Sequence, residues 1–295
     1  MDKIIKRENR GDRPQGLLDF ICASLPDQKK STVKKWLKYG HFMIDGRVVT
    51  AFDFSVDPGT VVEINLTRPF VQFHHRRLEI VYEDDDIIVV NKGYGLLSVG
   101  TGKVGSSGKS AVAKREETAY NILKDYVKEK DPRNKIFVVH RLDRDTSGLM
   151  MFAKSAEAQM AMQHNWNNMV LSRKYVALVE GIVENDEGVI RSNLEENSKF
   201  RVYSVGEDEG GKSATTRYRV LRRGSTTTLV EFELDTGRKN QIRVHASEMG
   251  HPIVGDRKYG GHTSRLHRLA LHAQTLRFAH PVTRRDMHFA TPIPF

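Results

Sequence analysis

The 295-residue sequence predicts an α+β protein: a small N-terminal α/β module, then a larger domain with a mixed, mainly antiparallel sheet flanked by helices. Three observations carry this. Short apolar runs come in pairs joined by tight turns, which is hairpin patterning. Helical stretches fall between them irregularly, with no repeated strand–helix–strand alternation. The length suits two domains, and 39% hydrophobic with 28% charged residues is an ordinary globular mixture.

Residues 1–15 are polar and read as a flexible tail. From 16 to 65 the pattern is a compact module. Leu17, Leu18, Phe20, Ile21 and Leu25 space one helical face, and Pro26-Asp27 ends it. Ser31 is a candidate N-cap for a second helix, with Val33, Trp36 and Leu37 inward, Lys34, Lys35 and Lys38 outward, and Gly40 as its stop. Short strands follow around Asp45-Gly46 and Pro58-Gly59. Residues 66–77 read as a linker broken by Pro69. The larger domain spans 78–295. It opens with a hairpin whose turn, Glu83 to Asp86, is acidic; a solvated turn is the plainer reading, since calcium-loop spacing does not follow. Residues 100–115 are rich in Gly, Ser and Lys and read as a mobile loop. They fail the spacing of a phosphate-binding loop, because position 103 is Lys where the first Gly belongs. A helix over 117–127, another over 156–166, strands at 174–181, 213–221 and 226–234, and a helix opened by 236–245 complete the domain.

Net charge is +10 and unevenly spread. Residues 1–77 carry 14 basic and 9 acidic side chains, and 238–295 carry 10 and 3, so both ends are basic around a near-neutral middle. That distribution favours a polyanionic partner over a merely solvated basic surface. The single cysteine, Cys22, excludes an intrachain disulfide and a cysteine zinc site. No stretch approaches the roughly 18 apolar residues of a membrane span, and the N-terminus lacks the apolar core of a signal peptide; the expectation is a cytoplasmic protein without membrane contact.

The most unusual stretch lies between two apolar runs, 136–139 and 149–153. His140-Arg141-Leu142-Asp143-Arg144-Asp145-Thr146-Ser147-Gly148 crowds two carboxylates, two guanidiniums and an imidazole into one loop. Such a density of polar groups beside buried strands is costly unless they are paired or functional. A capped turn is one reading, as Asp-Thr-Ser-Gly is good turn chemistry. The aspartate pair of a magnesium-dependent phosphatase is another, but His140-Arg141-Leu142 interrupts the apolar strand it needs, and few acids follow.

Two resemblances decide between these. The second helix, Gly40-His41-Phe42-Met43-Ile44-Asp45-Gly46-Arg47-Val48-Val49 and Pro58-Gly59 together resemble the S4 RNA-binding domain, with Asp45 where that family usually has Asn. The resemblance implies RNA phosphate contacts from Lys34, Lys35, Lys38 and Arg47. The blocks HRLDRDTSGLM (140–150), RKYVALVEG (173–181), TGRKNQIRVHASEMGHPIVGDRKYG (236–260) and RLALHA (268–273) resemble the RluA-type pseudouridine synthases, and so does YEDDDIIVVNKGYGLLSV (82–99). Members isomerise uridine in RNA to its C-glycoside without cofactor or metal. By this resemblance Asp143 is the catalytic carboxylate, Tyr175 the ring that stacks on the uracil, and Arg243 the cation paired with Asp143. Arg141 takes the space or the phosphate of the flipped nucleotide, His140 joins it as an RNA- or substrate-binding residue, and Leu271 lies near the base. The implied partner is ribosomal RNA, with the large-subunit RNA expected. The chain departs from the family pattern at Asn240, usually His, and at Gly93, usually Pro.

Overall fold

The computed structural model describes residues 3–70, 73–100, 116–206, 209–262 and 266–295. The chain divides into two units, Met1–Phe73 and His74–Phe295. The Gly/Ser/Lys-rich loop read at 100–115 lies outside the described residues from 101 onward.

The first unit contains β1 (Ile4–Glu8), β2 (Gln15–Gly16), α1 (Leu17–Ser24), α2 (Lys30–Lys38), β3 (Phe42–Ile44), β4 (Arg47–Val48), β5 (Ser55–Val56) and β6 (Val61–Asn65). Leu17, Phe20 and Ile21 of α1 and Val33 and Leu37 of α2 pack on Phe42, Ile44, Val62 and Ile64 of the sheet. Gly40 ends α2 at φ +79, with its N–H bonded to Leu37 O and the His41 N–H to Trp36 O, a Schellman closure. Asp45 and Gly46 both take positive φ and close the β3–β4 hairpin as a two-residue turn, a conformation aspartate tolerates. The second helix begins at Lys30, with Lys29 at its cap and no capping side chain, so Ser31 lies inside the helix rather than before it.

The flexible tail expected for residues 1–15 is corrected. β1 pairs antiparallel with β6 from Ile4↔Asn65 to Glu8↔Val61, in the order β1-β6-β3-β4. Its side chains are mostly exposed, so the strand is held by main-chain bonds that leave little hydrophobic signature. Buried Asn9 continues the anchoring: its amide donates to Val56 O at 2.7 Å and Arg13 O at 3.2 Å.

The second unit holds β7 (Leu78–Glu83), β8 (Ile87–Lys92), α3 (Ala119–Lys130), β9 (Phe137–Val138), β10 (Ser147–Ala153), α4 (Ala156–His164), α5 (Trp166–Met169), β11 (Val170–Glu180), β12 (Glu187–Glu196), β13 (Val202–Val205), β14 (Lys212–Arg223), β15 (Thr227–Leu234), α6 (Gln241–Glu248), β16 (Leu271–Ala279) and β17 (Asp286–Ala290). Nine strands run β13-β12-β14-β15-β11-β16-β10-β8-β7, with β17 on β16 and β9 on β10. β10–β16 is parallel and the other named pairs are antiparallel, as the mixed, mainly antiparallel expectation requires. Thr118 and Ser155 cap α3 and α4 through their hydroxyls. The polar stretch 182–210 contains the ten-residue β12. The acidic turn is internally braced: Asp84 accepts the Asp86 and Ile87 N–H groups, and His280 Nε2 meets its other oxygen at 3.0 Å.

The parallel pair is brief, Ser147↔His272 and Gly148↔Ala273, before β10 diverges and β17 takes over that edge of β16. Gly148 makes the approach possible. Its φ is +117, and a Cβ there would lie 2.3 Å from Ala273 O. Gly148→Ala therefore destabilises the second unit by about 3 kcal/mol or more, combining backbone strain with overpacking. Urea unfolding checks this; a loss within about 0.5 kcal/mol, the range of an indifferent surface change, would contradict it.

Candidate active site

The loop before β10 is held from three sides. Ser98 Oγ donates to Leu142 O at 2.7 Å and accepts the Leu142 N–H at 3.1 Å, fixing both main-chain groups of the residue before Asp143. Lys92 is fully buried, and its ammonium donates to the carbonyls of Gly93, Leu96 and Arg144 at 3.1, 2.8 and 3.1 Å. Burial pushes its pKa down to about 7, while Asp145 and Asp143 pull it back up. Ser147 Oγ lies 2.8 Å from His272 Nδ1 and accepts from Arg268 at 2.6 Å, and His272 Nε2 reaches Thr291 Oγ1 at 2.9 Å.

This framework aims Asp143 into a cavity of about 610 Å³. Asp143, His140, Arg141, Tyr175, Arg243 and Leu271 all line it, so six sequence-predicted residues of this domain converge. Leu271 begins β16, beside the parallel contact. Tyr175 stands on β11 opposite Ala273, where a one-residue irregularity in the β11–β16 ladder turns the strand. Burial raises the Tyr175 pKa, against the opposing charge of Arg173, so the phenol stays protonated at neutral pH.

No hydrogen bond or ion pair among the described residues engages the Asp143 carboxylate. Burial raises its pKa, and the charges of Arg243, Arg141, Lys239 and Lys92 act in the opposite direction. The expected Arg243–Asp143 pair is therefore corrected. The Arg243 guanidinium is clamped by Asp256, with Nε to Oδ2 at 2.7 Å and Nη2 to Oδ1 at 2.8 Å, and its Nη1 donates to Asn240 Oδ1 at 3.0 Å. Asp256 binds it in a bidentate fork, which is stronger and geometrically more restrictive than one shared contact. Arg243 still supplies the largest favourable charge at Asp143, across space.

His140 is a brace. Its Nε2 accepts the Met151 N–H at 3.0 Å and its ring packs on Trp166 at 5.2 Å. Burial, then the charge of Arg173, pushes its pKa down to about 3, so the ring is neutral. Arg141 is exposed at the cavity rim. Lys34, Lys35, Lys38 and Arg47 belong to the first unit and are exposed on α2 and at the start of β4.

Both departures from the family pattern have local explanations. Asn240 sits at φ +54 before α6, a left-handed position asparagine accepts, and its amide donates to Tyr259 Oη at 3.0 Å while its carbonyl holds Arg243. The Gly93 N–H donates to Arg77 O at 2.7 Å, a bond proline cannot make, and a Cβ there would crowd Arg77 at 3.0–3.1 Å.

Sequence reading missed Asp256, Lys92, Ser98 and Gln241. Gln241 is buried and spends both ends of its amide: Oε1 accepts from Thr236 and Arg238, and Nε2 donates to Thr215 O and Thr216 Oγ1. Asp256 had a faint signal, as one of three acids in the basic segment 238–295. Lys92 and Ser98 lie in the 82–99 block, but their contacts with Arg144 and Leu142, 52 and 44 residues away, had no local signal.

The mixed sheet thus presents an unpaired carboxylate in a cavity also lined by Arg141, Arg173, Arg238, Lys239 and Arg243. Residues 86–248 match the RNA pseudouridylate synthase family. The chain is 34% identical over its full length to an uncharacterized RNA pseudouridine synthase YlyB of Bacillus subtilis, covering 95% of that protein. It is 33% identical to ribosomal large subunit pseudouridine synthase D of Xylella fastidiosa, over 94% of this chain and 85% of that one. The solved structure of human RNA pseudouridylate synthase domain containing 1 superposes with TM-score 0.57 at 26% identity, covering 76% of this chain and 86% of that one. The protein belongs to the RNA pseudouridylate synthase family.

The unpaired charge has a measurable cost. A carboxyl whose folded-state pKa exceeds its unfolded value binds more protons when folded, so it removes stability as pH rises through the interval between them. Asp143→Asn should raise the melting temperature at neutral pH by about 2–4 °C, the shift that about 1 kcal/mol gives a domain of this size. The gain should shrink as pH falls towards about 4, where the unfolded carboxyl also protonates. Scanning calorimetry tests this, and a neutral-pH melting temperature below wild type would contradict it.

Proposed function

We propose that this RNA pseudouridine synthase isomerises uridine in large-subunit ribosomal RNA, with Asp143 as the catalytic carboxylate. The observation that carries the reading is the Asp143 carboxylate itself: buried among cations, engaged by none, and facing a cavity large enough for a base. Such a group is kept for a partner that arrives later.

The reacting glycosidic bond lies inside the RNA stack, so the uridine is flipped out to reach it. In the cavity the uracil stacks on Tyr175, and Leu271 borders it. The N1–C1′ bond breaks, the uracil turns, and a C5–C1′ bond forms; N1 gains a proton and C5 loses one. Asp143 forms or stabilises the bond at the electron-poor centre during the detached stage. Arg243, held by Asp256, stays beside the carboxylate as a fixed positive charge rather than neutralising it by contact. Arg141 at the rim meets the flipped nucleotide's backbone or fills its vacated place.

The 33% identical relative named ribosomal large subunit pseudouridine synthase D supports the RNA class. The first unit fits an S4-like RNA-binding role: α2 presents Lys34, Lys35 and Lys38 on its exposed side, and the β3–β4 turn presents Arg47. Contacts of this kind make affinity fall steeply with salt.

Tritium release from large-subunit ribosomal RNA carrying [5-³H]uridine measures the reaction. Asp143→Asn is expected to reduce release at least about a thousandfold while leaving RNA binding within about twofold. Retained isomerisation by that variant would overturn the role of Asp143.

A further inference from the structure

We infer that Arg173 is a phosphate-binding residue, which seats the backbone phosphate of the flipped nucleotide deep in the cavity. This rests on the reading of that cavity as the uridine site. Arg173 lies on β11 two residues before Tyr175, so both side chains leave the same face of the strand, about 7 Å apart along it. Both line the cavity.

The guanidinium is partly buried and has no carboxylate partner among the described residues. The carboxylate whose charge acts on it, Asp235, is engaged by Arg217 at 3.1 Å. One protein bond is made, from Nη2 to Leu234 O at 3.2 Å, out of five N–H groups a guanidinium offers. The group is nevertheless held in place. It lies over the Trp166 ring at 5.4 Å, and Trp166 is backed by His140. Gly237 lies beside it as well, where a Cβ would come within 2.8 Å of Nη1.

A desolvated cation with spare donors, stacked in place beside a cavity, lacks only its anion. Phosphate fits: it accepts two charge-assisted bonds from one guanidinium, and every nucleotide entering the cavity brings one. Arg141, Arg238 and Lys239 also line the cavity, but all three are exposed. Arg173 is the pre-oriented one. With the uracil on Tyr175, a phosphate on Arg173 would fix the rotation of the sugar that presents C1′ to Asp143.

The test compares full-length wild type, Arg173→Gln and Arg173→Lys on an in-vitro transcript of large-subunit ribosomal RNA. Arg173→Gln should raise KM about tenfold with kcat within about threefold, and should flatten the plot of log affinity against log salt by about one. Arg173→Lys, which keeps the charge and loses the fork, should recover the salt slope and only part of KM. An unchanged slope for Arg173→Gln, or a loss confined to kcat and thermal stability, would overturn the assignment in favour of a base contact or a purely structural brace. Pseudouridine formation by the wild type reads the proposed RNA class separately. If the transcript is bound but not modified, that class fails, and the slope still decides Arg173.

Discussion

Everything at the site depends on two residues of parallel contact between β10 and β16. The pairing at Ser147–His272 and Gly148–Ala273 brings the end of the aspartate loop against the start of the strand that carries Leu271. It also sets Tyr175 in place, because β11 pairs with Ala273 from the opposite side of β16. A parallel contact cannot be made by a hairpin, so the chain between the two strands must travel out and return. That excursion supplies β11 to β15 and α6, and with them Arg173, Arg243 and the cavity wall. The buried line from Arg268 through Ser147 and His272 to Thr291 then fixes the junction with polar bonds that apolar packing alone would not orient.

The electrostatics divide into charges that are satisfied and charges that are left open. Arg243 is closed by Asp256 and Asn240 and is a fixed source of positive potential, and Lys92 is closed by three carbonyls. Asp143 and Arg173 are open, one anion and one cation, in the same cavity. Had Arg243 paired directly with Asp143, the carboxylate would be stabilised but shielded from a substrate. Placing Asp256 on the guanidinium keeps the field and leaves the Asp143 carboxylate oxygens without a protein partner among the described residues. Burial raises the Asp143 pKa while four cations oppose it, so the ionised group is costly to the fold at neutral pH.

Local patterns in the sequence revealed the elements, and a family resemblance revealed the members of the site; their connections were legible in neither. The hairpin over β7 and β8, the helix α3 and the Gly40 stop follow from periodicity and turn chemistry within a few residues. β1 escaped because a strand held by main-chain bonds with exposed side chains has no hydrophobic period to read. The Arg243–Asp143 pair was expected because each residue was identified alone. Asp256, only 13 positions beyond Arg243, reached the guanidinium first, with geometry that no spacing rule encodes. Lys92 reads as an ordinary strand-end lysine until the fold brings Leu96 and Arg144 around it.

The departures from the family pattern follow the same logic. At 240 the asparagine carboxamide presents an acceptor to Arg243 and a donor to Tyr259 at φ +54, a left-handed position it tolerates. At 93, glycine trades the rigidity of proline for an N–H that Arg77 accepts. That bond ties β7's approach to the residue after Lys92, so the lysine's carbonyl cage is closed by a main-chain contact instead of a fixed ring. Each change replaces one means of holding the framework around Asp143 with another, and neither falls at Asp143, Tyr175 or Arg243. A family motif is thus best read as a set of geometric tasks, and a chain remains in the family when different residues perform them.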